Sequence, residues 1–231
     1  MIPLRDANPT RRPPVVTIAL VIASLALFAY ELGLLATGEA ELDAFVRTFG
    51  VVPAELMAAW GEGSFVSMES VTLVTSQFLH GGWLHVLGNL LYLWIFGNNI
   101  EDRFGRVAFV LFYLAGGIAA ALTQVATDPA SDVPMIGASG AIAAILGAYL
   151  VLYPRARITS LVFLGFFYQL IDVPAVIVLA FWFVLQLVDG LASLGVGGVG
   201  GGVAFFAHIG GFVFGVAVAL VMRMLGRSGV G

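Results

Sequence analysis

The chain has 231 residues, of which 60% are hydrophobic and 10% charged, with a mean hydropathy of +1.02. Soluble domains carry about a quarter charged residues, so this composition excludes a water-soluble globule and points to an integral membrane protein. The net charge of −4 signals no nucleic-acid partner, and the absence of cysteine excludes disulfides, thiolate catalysis and Cys-based zinc sites.

A membrane crossing needs roughly 20 apolar residues. The first candidate, residues 14–36, follows Arg5, Arg11 and Arg12. It is long for a signal peptide and lacks a convincing cleavage site, so it reads as a span. Residues 37–82 carry Glu39, Glu41, Asp43, Glu55, Glu62, Glu69 and Arg47 among apolar runs too short to cross. They read either as an external loop with short interfacial helices or as an ordinary surface loop. Further spans are expected at 83–99, 107–126, 137–153, 173–189 and 203–222. The run ITSLVFLGFFYQLI, 158–171, is short for a crossing and reads as interfacial or re-entrant. The glycine run at 195–203 reads as a flexible connection.

Arginine placement fixes the count, because cytoplasmic loops are enriched in it. All ten basic residues are arginine. With six spans and both termini inside, nine of them fall on one side: Arg5, Arg11, Arg12, Arg103, Arg106, Arg155, Arg157, Arg223 and Arg227. The expected fold is therefore an all-α membrane protein, a six-transmembrane-helix bundle with both termini cytoplasmic. A cytoplasmic segment at 1–13, a membrane domain at 14–225 and a cytoplasmic tail at 226–231 make up the chain.

In this topology spans two, four and six all start near the external face. At those starts stand His85 and Asn89, Ser139, and His208. Polar groups inside a membrane are costly and usually functional. Alone, Ser139 in GASG reads as a packing motif, since small residues favour close helix contacts. The combination reads differently. Gly140, Ala143, Ala144 and Gly147 slim one helix, while His208, Gly211 and Gly215 share one face of another. Close approach of the two would let the Ser139 hydroxyl reach the His208 imidazole, the base a serine nucleophile needs. No acidic residue stands near either in sequence, although Asp189 on span five remains open as a third member. A dyad oriented by packing is the favoured reading. The Ser139 N–H at a helix start, with His85 and Asn89 four apart on one face, would supply oxyanion donors. His80, at a loop–helix junction, reads as structural.

These pieces resemble the rhomboid intramembrane serine proteases over residues 75–222. The matching motifs are HGGWLHVLGN (His80, His85, Asn89), GNNIEDRFG, GASG around Ser139 and AHIGGFVFG around His208. The resemblance implies a rhomboid-like six-helix bundle with Ser139 as nucleophile, His208 as general base, and His85 and Asn89 as oxyanion ligands. It further implies that Gly137 begins the GxSG loop, that Gly211 and Gly215 pack beside the base, and that Glu101 and Arg103 are structural. The substrates implied are transmembrane proteins, cleaved near the membrane surface without metal or cofactor, with lipid as the surroundings. Substrate entry is implied near span five and residues 195–203. The expected location is a prokaryotic plasma (inner) membrane, multi-pass, with the site near the external face. Many members carry an aromatic residue four positions after the serine, where this chain has Ala143, so the His208 ring must be steadied otherwise. Nor does Trp60 have the arginine neighbour that some members show. The alternatives are a non-catalytic rhomboid-like protein that binds membrane clients, and a small transporter or channel, whose charges would line a path through the membrane.

Overall fold

The computed structural model describes residues 2–164, 167–195 and 204–227. Three helices are long and apolar enough to cross a membrane: α1 (Val15–Thr37), α7 (Arg106–Thr127) and α10 (Phe205–Arg227, apolar through Leu225). Two helices with shorter apolar stretches, α8 (Ser139–Leu152) and α9 (Ala175–Gly195, apolar over Ala175–Asp189), pack with them. Most of the glycine run expected to link the last two spans lies outside the described residues, as does the end of the tail.

α8 is apolar on every side, and Gly140 to Tyr149 are buried without interruption. A helix with no polar face can be buried on all sides, and α8 is enclosed by α7, α10, α9 and the helical segment that begins with α5 (Trp83–Tyr92). That segment continues through a π turn, Leu93–Gly97, into α6 (Asn98–Phe104).

Polar residues inside α1 lie on one face. Thr17, Ser24, Phe28 and Glu31 recur at helical spacing and are its buried residues. Two carboxylates tie this helix down. Pro14 precedes it and offers no capping side chain. Instead the Glu101 carboxylate of α6 accepts from Val16 N–H at 2.9 Å and from Thr17 N–H and Oγ–H, both at 2.8 Å. An anion there also faces the positive end of the helix dipole. Near the other end, both Glu31 carboxylate oxygens lie 3.2 Å from the backbone N–H of His80.

Residues 38–82 form α2 (Glu39–Phe49), α3 (Pro53–Gly61), α4 (Met68–Thr75) and a 3-10 turn, Ser76–Phe78. Their ends hold the loop that leads into α8. Val51 and Met135 exchange backbone hydrogen bonds of 3.0 and 2.8 Å, and Gly137 N–H donates to the Ser76 carbonyl at 2.8 Å.

The expected all-α fold needs one correction. The chain is mostly helical, but β1 (Ile2–Asp6), β2 (Arg157–Leu164) and β3 (Phe167–Pro174) form an antiparallel sheet in the order β1-β2-β3. The apolar run 158–171, expected to be interfacial or re-entrant, lies in β2 and β3, with Arg157 opposite Pro174 and Leu164 opposite Phe167. Too short to cross, and rich in β-branched residues such as Ile158, Thr159 and Val162, it satisfies its backbone by pairing. β1 adds Ile2 to Leu161 and Asp6 to Ile158. Behind it Asp6 accepts from the Tyr149 hydroxyl and from Asn99 Nδ2 at 2.7 Å, and Asn8 Nδ2 donates to Asn99 Oδ1 at 2.9 Å. Arg11, Arg12, Arg103, Arg155 and Arg223 line two adjoining clefts at this end that share Asn8, Arg103 and Tyr153.

Candidate active site

Ser139 opens α8 and His208 lies one turn into α10. Their side chains meet, with Ser139 Oγ 2.8 Å from His208 Nε2. The meeting depends on how closely the two helices run. A methyl at Gly211 would collide with the Gly140 carbonyl, one at Gly215 with the Ala144 carbonyl, and one at Gly147 with the Phe212 carbonyl. Backbone touches backbone along this seam, as small-residue interfaces in membranes allow. On the far side of Gly140 the Ala120 methyl of α7 fills the space a side chain would need.

α10 has its own anchor. Gln124 of α7 accepts through Oε1 from Phe206 N–H at 3.1 Å and Ala207 N–H at 3.3 Å. It caps the helix just before His208 and so fixes the height of the imidazole.

His85 and Asn89 lie on α5. Gly81 N–H donates to His85 Nδ1 at 3.3 Å. In the neutral ring the proton then resides on Nε2. That nitrogen faces the turn before Ser139: a Cβ on Gly137 would stand 2.6 Å from His85 Nε2 and 3.6 Å from Ser139 Oγ. Gly137 has φ +131°, a conformation that side chains rarely adopt, so glycine serves both the turn and the open space. Asn89 is buried, and its Nδ2 has no acceptor among the described residues. The Ser139 N–H, at the first turn of α8, has no intrahelical acceptor either. Two of these donors, His85 Nε2–H and the Ser139 N–H, thus flank the turn at Gly137.

The sequence reading left the far side of the His208 ring unassigned. Its Nδ1 lies 2.6 Å from Gln186 Oε1 of α9, and the Trp182 ring, one turn earlier on α9, is centred 5.9 Å from the imidazole. Asp189, considered as a third member, is exposed and not the partner of Nδ1. Gln186 and Gln124 were missed. Gln186 was nonetheless visible as the one amide in the apolar stretch AFWFVLQLV, and such a residue in a span is a candidate for function. His80 stands behind the site, its ring 5.1 Å from that of His85 and its Nδ1–H donating to the Phe78 carbonyl at 3.1 Å.

A hydroxyl on an imidazole nitrogen, beside donors grouped around an open turn, is an arrangement suited to acyl transfer. A family model described as the rhomboid domain matches residues 67–225. The chain belongs to the rhomboid family. Its similarity to "Rhomboid protease GluP" of Bacillus subtilis (strain 168) is 35% identity over 161 residues, 68% of this chain and 30% of that one. It is 30% identical to "Putative rhomboid protease YdcA" of the same organism over 115 residues, 47% of this chain and 57% of the relative. "RHOMBOID-like protein 5" of Arabidopsis thaliana is 35% identical over 78 residues, 34% of this chain and 25% of the relative. The matches therefore span between a quarter and somewhat over half of these rhomboid relatives. The family model's own match, residues 67–225, includes the stretch from His80 to His208.

Proposed function

We propose that this rhomboid is an intramembrane serine endopeptidase that hydrolyses peptide bonds in or near transmembrane segments of other membrane proteins. The observation that carries the reading is the 2.8 Å contact between Ser139 Oγ and His208 Nε2. As Oγ attacks the scissile carbonyl carbon, its proton passes to His208 Nε2. The carbonyl electrons move to oxygen, where the Ser139 N–H, His85 Nε2–H and Asn89 Nδ2–H stabilise the oxyanion. His208 then protonates the departing amine, the C–N bond breaks, and an ester on Ser139 remains. Water, deprotonated by the same imidazole, hydrolyses that ester and returns Oγ–H. Two relatives, "Rhomboid protease GluP" and "Putative rhomboid protease YdcA", point the same way by their names.

The length of α8 supports a site within reach of water. Fourteen residues span about 21 Å at 1.5 Å each, against a hydrocarbon core of about 30 Å. With the opposite end of α8 near the arginine-lined clefts, Ser139 lies about 9 Å beneath the other surface. We read the chain as six crossings, residues 14–225, with both termini on the arginine-rich, cytoplasmic side and the site towards the external face. We keep a prokaryotic plasma membrane as the location; the relatives come from both Bacillus and Arabidopsis and do not select it.

A fluorophosphonate probe that labels activated serines tests the assignment. Purified protein should be labelled, Ser139→Ala not at all, and His208→Ala at a small fraction of the rate. Asn89→Ala should keep its fold and lose kcat by about 10²-fold or more, the scale of one oxyanion donor. Labelling undiminished in Ser139→Ala would move the nucleophile to another serine, and a wild type that is never labelled would leave the client-binding reading in its place.

A further inference from the structure

We propose that Gln186 of α9 is a positioning residue for the base, holding His208 in the one tautomer that can take a proton from Ser139. The inference rests on the protease reading and deepens it.

The tautomer follows from the partners. Gln186 Oε1 stands 2.6 Å from His208 Nδ1, and an oxygen accepts only if Nδ1 carries the proton. The Nε2 lone pair then faces Ser139 Oγ, 2.8 Å away. The reversed amide would present N–H to Nδ1 and force the proton onto Nε2, where it would point at the serine and block the transfer. Only the oxygen-inward arrangement yields a base.

The ring is also gripped from the side. Ala143 offers no aromatic surface, and the face is supplied instead by Trp182, which shares one side of α9 with Gln186 at i and i+4. α9 seats on α10 through the same ridge: Phe183 stacks on Phe212 with centroids 4.4 Å apart, and Trp182 lies 6.0 Å from Phe212. One helix therefore delivers both the hydrogen bond and the ring contact.

An amide suits this depth. An ionised carboxylate inside a membrane costs up to about 2.5–3.5 kcal/mol on insertion scales, the value at its centre, whereas glutamine orients the imidazole without a charge. Of the groups facing His208, α8 brings Ser139 and α9 brings Gln186, with Asp189 exposed a turn beyond. His85 of α5 is the titratable one.

The test compares Gln186→Leu, Gln186→Asn and Gln186→Glu with wild type and Ser139→Ala in reconstituted membranes, by fluorophosphonate labelling and by kcat and KM on a transmembrane peptide across pH. Leucine removes the acceptor and asparagine withdraws it by one methylene. Each should lower kcat by about 10- to 100-fold, part of the 10²–10⁴ a positioned base contributes, with KM within about twofold. Glutamate restores the acceptor and adds charge beside the imidazole. It should recover most of kcat and move the acid limb of the pH–rate profile up by about 1–3 units. Thermal unfolding of each variant separates positioning from loss of fold, and if the leucine variant unfolds, the pH profile of the glutamate variant decides. A leucine variant with wild-type kcat, or a glutamate variant with an unmoved acid limb, overturns the role of Gln186 alone. A wild type that is never labelled at Ser139 overturns the protease reading and this inference with it.

Discussion

His80 shows how a buried side chain beside the site becomes a pH-dependent element. It is 3% exposed, its Nδ1–H is satisfied by Phe78, and its Nε2 has no partner among the described residues. Burial, and then the neighbouring His85, push its pKa down from 6.5 to about 4. The folded protein thus holds the neutral ring while the unfolded chain is free to protonate near 6.5. The stability this contributes is fully present above pH 6.5 and is lost as pH falls through 4, by on the order of 3 kcal/mol. Asparagine reproduces the donor to Phe78 without titrating. Melting curves of the purified protein from pH 8 to pH 4 should therefore show a smaller acid loss in His80→Asn than in wild type. Parallel curves for the two would mean that His80 is already charged, or already exposed, in the folded state.

At the scale of elements the seam between α8 and α10 decides the chemistry. Nothing but glycine fits where backbone meets backbone, so Gly215→Ala must push α10 away from the Ala144 carbonyl. Overpacking of this kind costs about 1–3 kcal/mol. Gly215 is two turns beyond His208, so the displacement also lengthens the contact between Nε2 and Oγ. The variant should melt earlier, and below its melting temperature its labelling rate at Ser139 should fall by at least about tenfold, since a 1 Å misplacement of reacting groups costs about 10². Wild-type labelling in a less stable Gly215→Ala would show that the seam supports the fold without aligning the pair. The sequence showed these glycines and their spacing. It did not show Gln124 capping α10, because a side chain on α7 that satisfies a helix end 82 residues away leaves no local pattern.

For the whole molecule, α1 is tied down by polar contacts at its two ends and, between them, by Phe28 packed on Val86 and Leu90 of α5. Glu101 takes three donors from its first turn, and Glu31 reaches the loop that enters α5. Replacing Glu101 by alanine leaves the Val16 and Thr17 donors unpaired in a buried place, each at about 1–3 kcal/mol. Glu101→Ala should unfold at clearly lower temperature and expose the segment around Pro13 and Pro14 to protease. Ser139 labelling measured well below the transition should persist, because α8, α10 and α5 hold the site without α1's first turn. A variant as stable and as protease-resistant as wild type would show that packing alone seats α1.

Composition alone determined that this chain lives in a membrane, because so few charges cannot cover a water-facing surface. The motifs around His85, Ser139 and His208 determined the family and named the residues that the structure brings together, because close packing of small residues is written as local spacing. The sheet was not legible, since ITSLVFLGFFYQLI is equally apolar as a hairpin or as a buried helix, and what separates the two is its pairing, within itself and with the distant Ile2–Asp6 strand. Nor was the partner of the His208 ring. Gln186 stood in the sequence as a polar residue in a span, but which helix it faced depended on how α9 seats against α10. That is a property of side-chain packing between elements, and the tertiary structure decided it.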